Sequence, residues 1–137
     1  MTEFNLKPIG WVESALTDLE SAPRQADEGA PEAVLVFVPE VLEGLRTLRP
    51  GQEVLLLTWL DRARRDILSV HPRGDTARQE EGVFSTRSPH RPNPIGLHRV
   101  EITAIDGLRV RVSALEAIDG TPILDVKPLL DEDIALR

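Results

Sequence analysis

The run Val100-Glu-Ile-Thr-Ala-Ile-Asp-Gly-Leu-Arg-Val-Arg-Val112 decides the fold class. On both sides of Asp106-Gly107 apolar and polar side chains alternate, the period of a strand with one buried and one wetted face. Asp-Gly tolerates the positive φ angles of a type I′ turn, so the run reads as a β-hairpin. In its second arm Val110 and Val112 should point inward, and Arg109, Arg111 and Ser113 outward. Working outward, the same short, turn-bounded pattern recurs at Phe4–Glu13, Ala33–Val38, Glu53–Leu60, Asp66–Val70, Gly82–Thr86, Leu97–Ile105, Leu108–Leu115 and Pro122–Val126. Eight such pieces predict an all-β, mainly β fold: a small single β-barrel with one or two short helices. The clear helix lies over Pro39–Leu48, where Val41, Leu42, Leu45 and Leu48 recur at helical spacing behind an N-terminal proline, and it is expected to plug a barrel end.

The length, 137 residues, suits one core, so residues 1–137 are expected to form one domain with no additional C-terminal domain. There is no Cys, which removes disulfides, thiolate zinc sites, iron–sulfur clusters and cysteine nucleophiles. Histidines at zinc-type spacing are also missing, and no metal is expected. The N-terminus has neither a basic leader nor a long apolar run, which makes a cytoplasmic protein away from membranes the default expectation.

The net charge of −7 rules out a uniformly basic nucleic-acid binder, but it is unevenly spread. Residues 1–61 carry 4 basic and 11 acidic side chains, residues 62–99 carry 8 and 4, and residues 100–137 carry 4 and 8. The positive window also holds all three histidines, His71, His90 and His98. A solvated face explains such a window as readily as a binding surface does. Arg supplies 14 of the 16 basic residues, and guanidinium suits planar recognition of phosphate and carboxylate.

Two loops stand out. Thr17–Pro31 is long, polar and acidic, with Pro23-Arg24-Gln25 in its middle; loops of that length usually bind something or are disordered. Ser88-Pro-His-Arg-Pro-Asn-Pro-Ile-Gly96 has three prolines that fix φ and bias each preceding residue away from helix. It holds Arg87, His90, Arg91 and Asn93 ready to grip anionic or planar polar groups, where a plain connecting loop would use its arginines in surface ion pairs. Asp119-Gly-Thr-Pro122 reads as a tight turn in which Asp119 accepts its own downstream amides. Asp125 and Lys127 fall on one face of an extended segment, as a functional couple or as an ion pair. Of five aromatic residues, Trp59 ends a solidly apolar strand and is expected in the core, and a base-stacking role for it or for Trp11 is the lesser reading. No glycine-rich phosphate loop or Ser-His-Asp signature occurs.

Gly82-Val-Phe-Ser-Thr-Arg-Ser-Pro-His-Arg-Pro-Asn-Pro-Ile-Gly-Leu97 followed by Asp119-Gly-Thr-Pro-Ile-Leu-Asp-Val-Lys-Pro128 closely resembles the TrmO/TsaA-like family, with supporting matches at Ile9-Gly10 and Pro23-Arg24-Gln25. The resemblance spans about residues 4–130. It implies a small β-barrel methyltransferase that uses S-adenosyl-L-methionine, typically as a homodimer, and N6-methylates threonylcarbamoyladenosine beside the anticodon of threonine tRNA. It further implies that the cofactor is held by Pro23, Arg24, Gln25, Asp61, Arg62, Arg87, Leu97 and the run Glu116, Ala117, Ile118 and Asp119. Glu116 stands where the family often has Asp, and Leu129 where it often has Tyr.

For such a transfer the protein must align the nucleophile and accept a proton from adenine N6. The Asn93 amide oxygen, a backbone carbonyl of the loop and Asp125 are the candidate acceptors. His90, Arg91 and Lys127 are the candidate cations for the substrate, Arg91 or His90 being suited to the threonyl carboxylate. Two rivals remain at this stage: a methyltransferase of the same fold acting on another nucleoside or small molecule, and a non-catalytic S-adenosylmethionine-binding regulatory module.

Overall fold

A computed structural model describes residues 3–18, 29–71 and 74–130. Its strands are β1 (Gly10–Glu13), β2 (Ala33–Phe37), β3 (Glu53–Trp59), β4 (Ser69–Val70), β5 (Glu81–Gly82), β6 (Ile95–Asp106), β7 (Arg109–Val112) and β8 (Pro122–Pro128). Six of them pair antiparallel in the order β1-β2-β7-β6-β3-β8, and β8 returns to β1 through Gly10 opposite Ile123, so the ring closes into a barrel. Closure removes the free strand edges that an open sheet would expose.

Alternation drives this arrangement. Val54, Leu56 and Thr58 on β3, Val100 and Ile102 on β6, Val110 and Val112 on β7, and Val12, Leu35 and Ile123 point inward and are buried almost completely. Each large apolar side chain so buried stabilises the fold by roughly 1.5–3 kcal/mol before the entropy of ordering it is subtracted. The hairpin forms, one residue later than the sequence suggests: Asp106 pairs with Arg109, and Gly107-Leu108 make the two-residue turn, Gly107 at φ 60°.

Three other expectations change. Asp66–Val70 and Gly82–Thr86 do not join the barrel; only Ser69–Val70 and Glu81–Gly82 pair, as a separate two-stranded sheet, and Val83–Ser85 turns into a 3-10 helix. These pieces lack a second inward apolar residue, and Leu68 and Phe84 stay exposed. The expected strand at Phe4–Glu13 shrinks to Gly10–Glu13, because Pro8 has no N–H to donate. The helix over Pro39–Leu48 is a 3-10 helix over Pro39–Leu45 with no fully buried residue; Gly44 in its middle disfavours a longer α-helix. Val41, Leu45 and Leu48 still pack against the core.

Register places the site. β3 ends at Trp59 opposite Ile95, the first residue of β6; β2 starts at Ala33 opposite Val112, the last of β7; and β8 starts at Pro122 opposite Trp11. These strand ends share one end of the barrel, and the connections 14–32, 60–94 and 113–121 all leave from it. The hairpin turn and the Pro39–Leu45 3-10 helix lie at the other end.

Candidate functional site

The connection 60–94 folds back on itself through backbone and arginine bonds. Leu60 N–H donates to the Pro94 carbonyl (2.8 Å), Arg91 N–H to Arg64 carbonyl (3.0 Å), and Arg64 N–H to His90 Nδ1 (3.0 Å). That last bond makes Nδ1 an acceptor and leaves Nε2 to carry the ring proton. Arg65 donates from Nε to the Pro92 carbonyl (2.7 Å) and from Nη2 to Asn93 Oδ1 (3.0 Å), with its guanidinium 5.1 Å from the Trp59 ring centroid. Trp59 is therefore an outward, half-buried platform for Arg65 and not part of the buried core. Arg91 donates from Nη1 to the carbonyls of Thr86 and Ser88, both at 3.0 Å, and lies over Phe84. Arg62 Nη1 donates to the Thr17 carbonyl (2.8 Å).

In those bonds the three guanidiniums meet only neutral oxygens, so no carboxylate offsets their charge there. Arg64 differs: it grips Asp66 with two bonds, and that guanidinium holds the Asp66 carboxyl below its usual range.

The connection 113–121 is held from the opposite side. Asp119 N–H donates to the Leu16 carbonyl (2.7 Å), Gly120 N–H to the Val12 carbonyl (2.7 Å), and Asp119 Oδ1 accepts from Ser14 N–H (2.9 Å). The expected turn onto its own downstream amides is replaced by this long-range clamp, while Thr121 Oγ1 closes the turn by donating to the Ile118 carbonyl (2.6 Å). Asp119 and Arg62 thus both hold the segment 14–17, at the root of the connection that carries Pro23, Arg24 and Gln25. Those three residues lie outside the described ones. Ala117 and Ile118 are buried, and Asp61 is exposed.

Beneath this loop lies a chain of polar contacts that the sequence reading did not isolate. The His98 ring is buried between Thr58 and Glu116: Nε2 is 2.8 Å from Thr58 Oγ1, and Nδ1 is 2.5 Å from Glu116 Oε1. With Glu116 Oε1 as the acceptor, Nδ1 is the donor of that contact and Nε2 is left to the Thr58 hydroxyl. The available signal was register, since His98 takes the inward parity of Val100 and Ile102.

On the outward side of β3 and β6, Arg87 and Leu97 line one cleft of about 240 Å³ with Leu55 and Arg99. A second groove of about 500 Å³ includes Trp59, Arg65, Asn93, Ile95 and Leu124. Asp125 and Lys127 form an ion pair (3.3 Å) on half-exposed side chains of β8, where a bulge interrupts the pairing with β3. Predicted site residues are therefore united in small sets: Arg87 with Leu97, Arg62 with Asp119, His90 and Arg91 with Asn93 through the 60–66 turn, and Asp125 with Lys127. Among the described residues, no group of three or more His, Asp or Glu side chains is placed to hold a metal, and no helix is long and apolar enough to cross a membrane.

Comparison with known proteins places the chain among relatives. An S-adenosyl-L-methionine-binding protein of Archaeoglobus fulgidus is 43% identical over 122 residues, covering 89% of this chain and 86% of that one. A longer probable S-adenosyl-L-methionine-binding protein of the same organism is 42% identical over 93% of this chain, which spans 34% of its length. The crystal structure of TrmO from P. aeruginosa superposes with a TM-score of 0.75 at 30% identity, covering 96% of this chain and 57% of that chain. Residues 11–133 match the tRNA-methyltransferase O N-terminal domain, and the chain belongs to that family.

Proposed function

We propose that the protein is an S-adenosyl-L-methionine-dependent methyltransferase acting on tRNA, and that its acceptor is N6 of threonylcarbamoyladenosine beside the anticodon of threonine tRNA. The observation that carries the reading is the convergence of the motif-bearing connections on one barrel end, where arginines bonded to neutral oxygens gather on a protein of net charge −7. Family membership and the S-adenosyl-L-methionine-binding relatives support the cofactor.

The donor set fits that cofactor. Leu55 and Leu97 offer apolar surface beside the Arg87 guanidinium, suited to an adenine or aliphatic chain next to a carboxylate. Asp119 and Glu116 each have one carboxylate oxygen with no protein partner among the described residues, suited to hydroxyl or ammonium donors. When bound, S-adenosyl-L-methionine supplies an electrophilic methyl group on a sulfonium.

The protein's own part is orientation and removal of the N6 proton. Asn93 Oδ1 already accepts from Arg65, which lowers its basicity but fixes its direction. Asp125, whose Oδ1 accepts from Val126 N–H (2.9 Å) and whose Oδ2 pairs with Lys127 (3.3 Å), offers a carboxylate, a stronger base than an amide oxygen. Arg91, aligned by its carbonyl bonds, has its second terminal nitrogen left for an anionic group of the substrate. A homodimer in the cytoplasm belongs to the same reading.

Incubation with methyl-labelled cofactor and total tRNA, followed by digestion to nucleosides, tests the proposal. Label in N6-methyl threonylcarbamoyladenosine is expected. Label in another nucleoside or small molecule moves the acceptor, and binding without transfer favours a regulatory module.

A further inference from the structure

We propose that His98 is a positioning residue of the ligand site: clamped between Thr58 and Glu116, it holds the Glu116 carboxylate so that its second oxygen faces outward as a fixed acceptor for an N–H or O–H donor of bound S-adenosyl-L-methionine. The inference rests on the cofactor reading given above.

Four observations carry it. His98 is only 5% exposed, and both its ring nitrogens are engaged, so the imidazole has one orientation. Glu116 is intermediate, its side chain 17% exposed. Oε1 is taken by His98, while among the described residues Oε2 has no protein partner and no buried side-chain oxygen lacks one, so Oε2 reaches solvent. A carboxylate pinned on its inner oxygen and open on its outer one has already lost the rotamer freedom that binding would otherwise remove.

The fourth observation is Gly96. A Cβ there would lie 2.4 Å from Thr58 Oγ1 and 2.7 Å from His98 Nε2. The glycine of the Pro-Ile-Gly motif thus leaves the room that the Thr58–His98 contact occupies. The rigid loop and the buried chain are parts of one construction: the second residue of β6, one past the loop, is the one whose missing side chain admits the histidine lock. Leu97, between them, faces the outward cleft with Arg87.

His98→Leu fills much of the same space with an apolar side chain and removes both nitrogens, whereas the amide of Asn in His98→Asn can replace Nδ1–H as donor to Glu116. Calorimetry with S-adenosyl-L-methionine and with S-adenosylhomocysteine should show His98→Leu binding at least tenfold more weakly, equivalent to about 1.4 kcal/mol. His98→Asn should bind within about threefold of wild type. The nitrogen-15 histidine spectrum of the wild-type protein should report an Nδ1–H tautomer whose signals move on ligand addition. Unchanged affinity in His98→Leu, or equal loss in both variants, overturns the positioning role. If His98→Leu does not fold, the spectrum decides: an Nε2–H tautomer, or signals indifferent to ligand, overturns it. A wild-type protein that binds neither compound overturns the cofactor reading itself, whereas tight wild-type binding with an indifferent His98 overturns this inference alone.

Discussion

Gly96→Ala gives the most direct test of the packing at the functional end of the barrel. A methyl group there would approach Thr58 Oγ1 to 2.4 Å, His98 Nε2 to 2.7 Å and His98 Cε1 to 3.2 Å. All three belong to buried side chains on β3 and β6, strands paired over seven consecutive positions, so neither can retreat freely. Overpacking of this kind costs about 1–3 kcal/mol. Separating Thr58 from His98 adds about 1–3 kcal/mol, because a buried hydroxyl and a ring nitrogen lose their partner. A combined loss of about 3 kcal/mol, divided by the unfolding entropy of a chain this long, lowers Tm by roughly 10 °C. Thermal and urea unfolding followed by circular dichroism measure it. Thr58→Ala relieves the nearest contact, so its own cost should shrink by at least about 1 kcal/mol in the Gly96→Ala background. A Gly96→Ala protein melting within 2–3 °C of wild type by the same scaling, or strict additivity of the two changes, would refute the argument.

Gly10→Ala should be worse still, at about 3 kcal/mol or more, because its Cβ would meet the Val36 carbonyl oxygen at 2.4 Å and backbone cannot rotate aside; failure to lower the urea midpoint would contradict this. Hydrogen bonds from Arg109 and Arg99 lower the carboxyl pKa values of Glu13 and Glu53 from 4.5, so these pairs stabilise the fold above that pH and lose their effect as pH falls through the lowered folded values. The Tm difference between wild type and Glu13→Gln should accordingly be constant near neutrality and shrink below pH 4.5, and a difference that grows on acidification refutes the assignment. Arg91→Ala should reduce methylation of threonine tRNA at least tenfold on the basis of a lost charge-assisted contact, and unchanged methylation removes its substrate role. Asp119→Ala releases the Ser14 amide and should weaken S-adenosyl-L-methionine in calorimetry, whereas unaltered affinity counts against the cofactor site.

Alternation made the barrel readable. Wherever inward residues recur every second position, as from Val54 to Thr58 and from Gly96 to Ile102, the expected strand occurs with the expected face buried. Short apolar clusters without that recurrence misled: Gly82–Thr86 has Val83 inward and nothing two residues on to continue it, so the chain turns instead. Periodicity also could not separate a 3-10 helix from an α-helix over seven residues, since Leu42, Leu45 and Leu48 fit three residues per turn as well. Trp59 was misplaced for a related reason. Its neighbours Leu55 and Leu57 are apolar on the outward face too, which erases the alternation that would have pointed it out of the core.

Chemistry in the site was legible only where it was local in sequence. The loop from Ser88 to Gly96 declares itself by its prolines, but what its residues do depends on Arg64 and Arg65, whose bonds reach His90, Pro92 and Asn93 from a segment some 26 to 28 residues earlier. His98 and Glu116 lie 18 residues apart, and Thr58 another 40 from His98, so no spacing rule joins them. Only the β3–β6 register does, by setting Gly96 opposite Thr58 and leaving His98 to fold over it. The same register explains why one strand junction serves both ligand and fold. Inward, Gly96 and His98 complete the core with a polar lock; outward, Ile95 and Leu97 face the grooves lined by Asn93 and Arg87. A substitution at any of these four positions should therefore move stability and ligand affinity together, except His98→Asn, which keeps the donor to Glu116 and should separate them: lower Tm from the loss of Thr58's partner, with affinity retained.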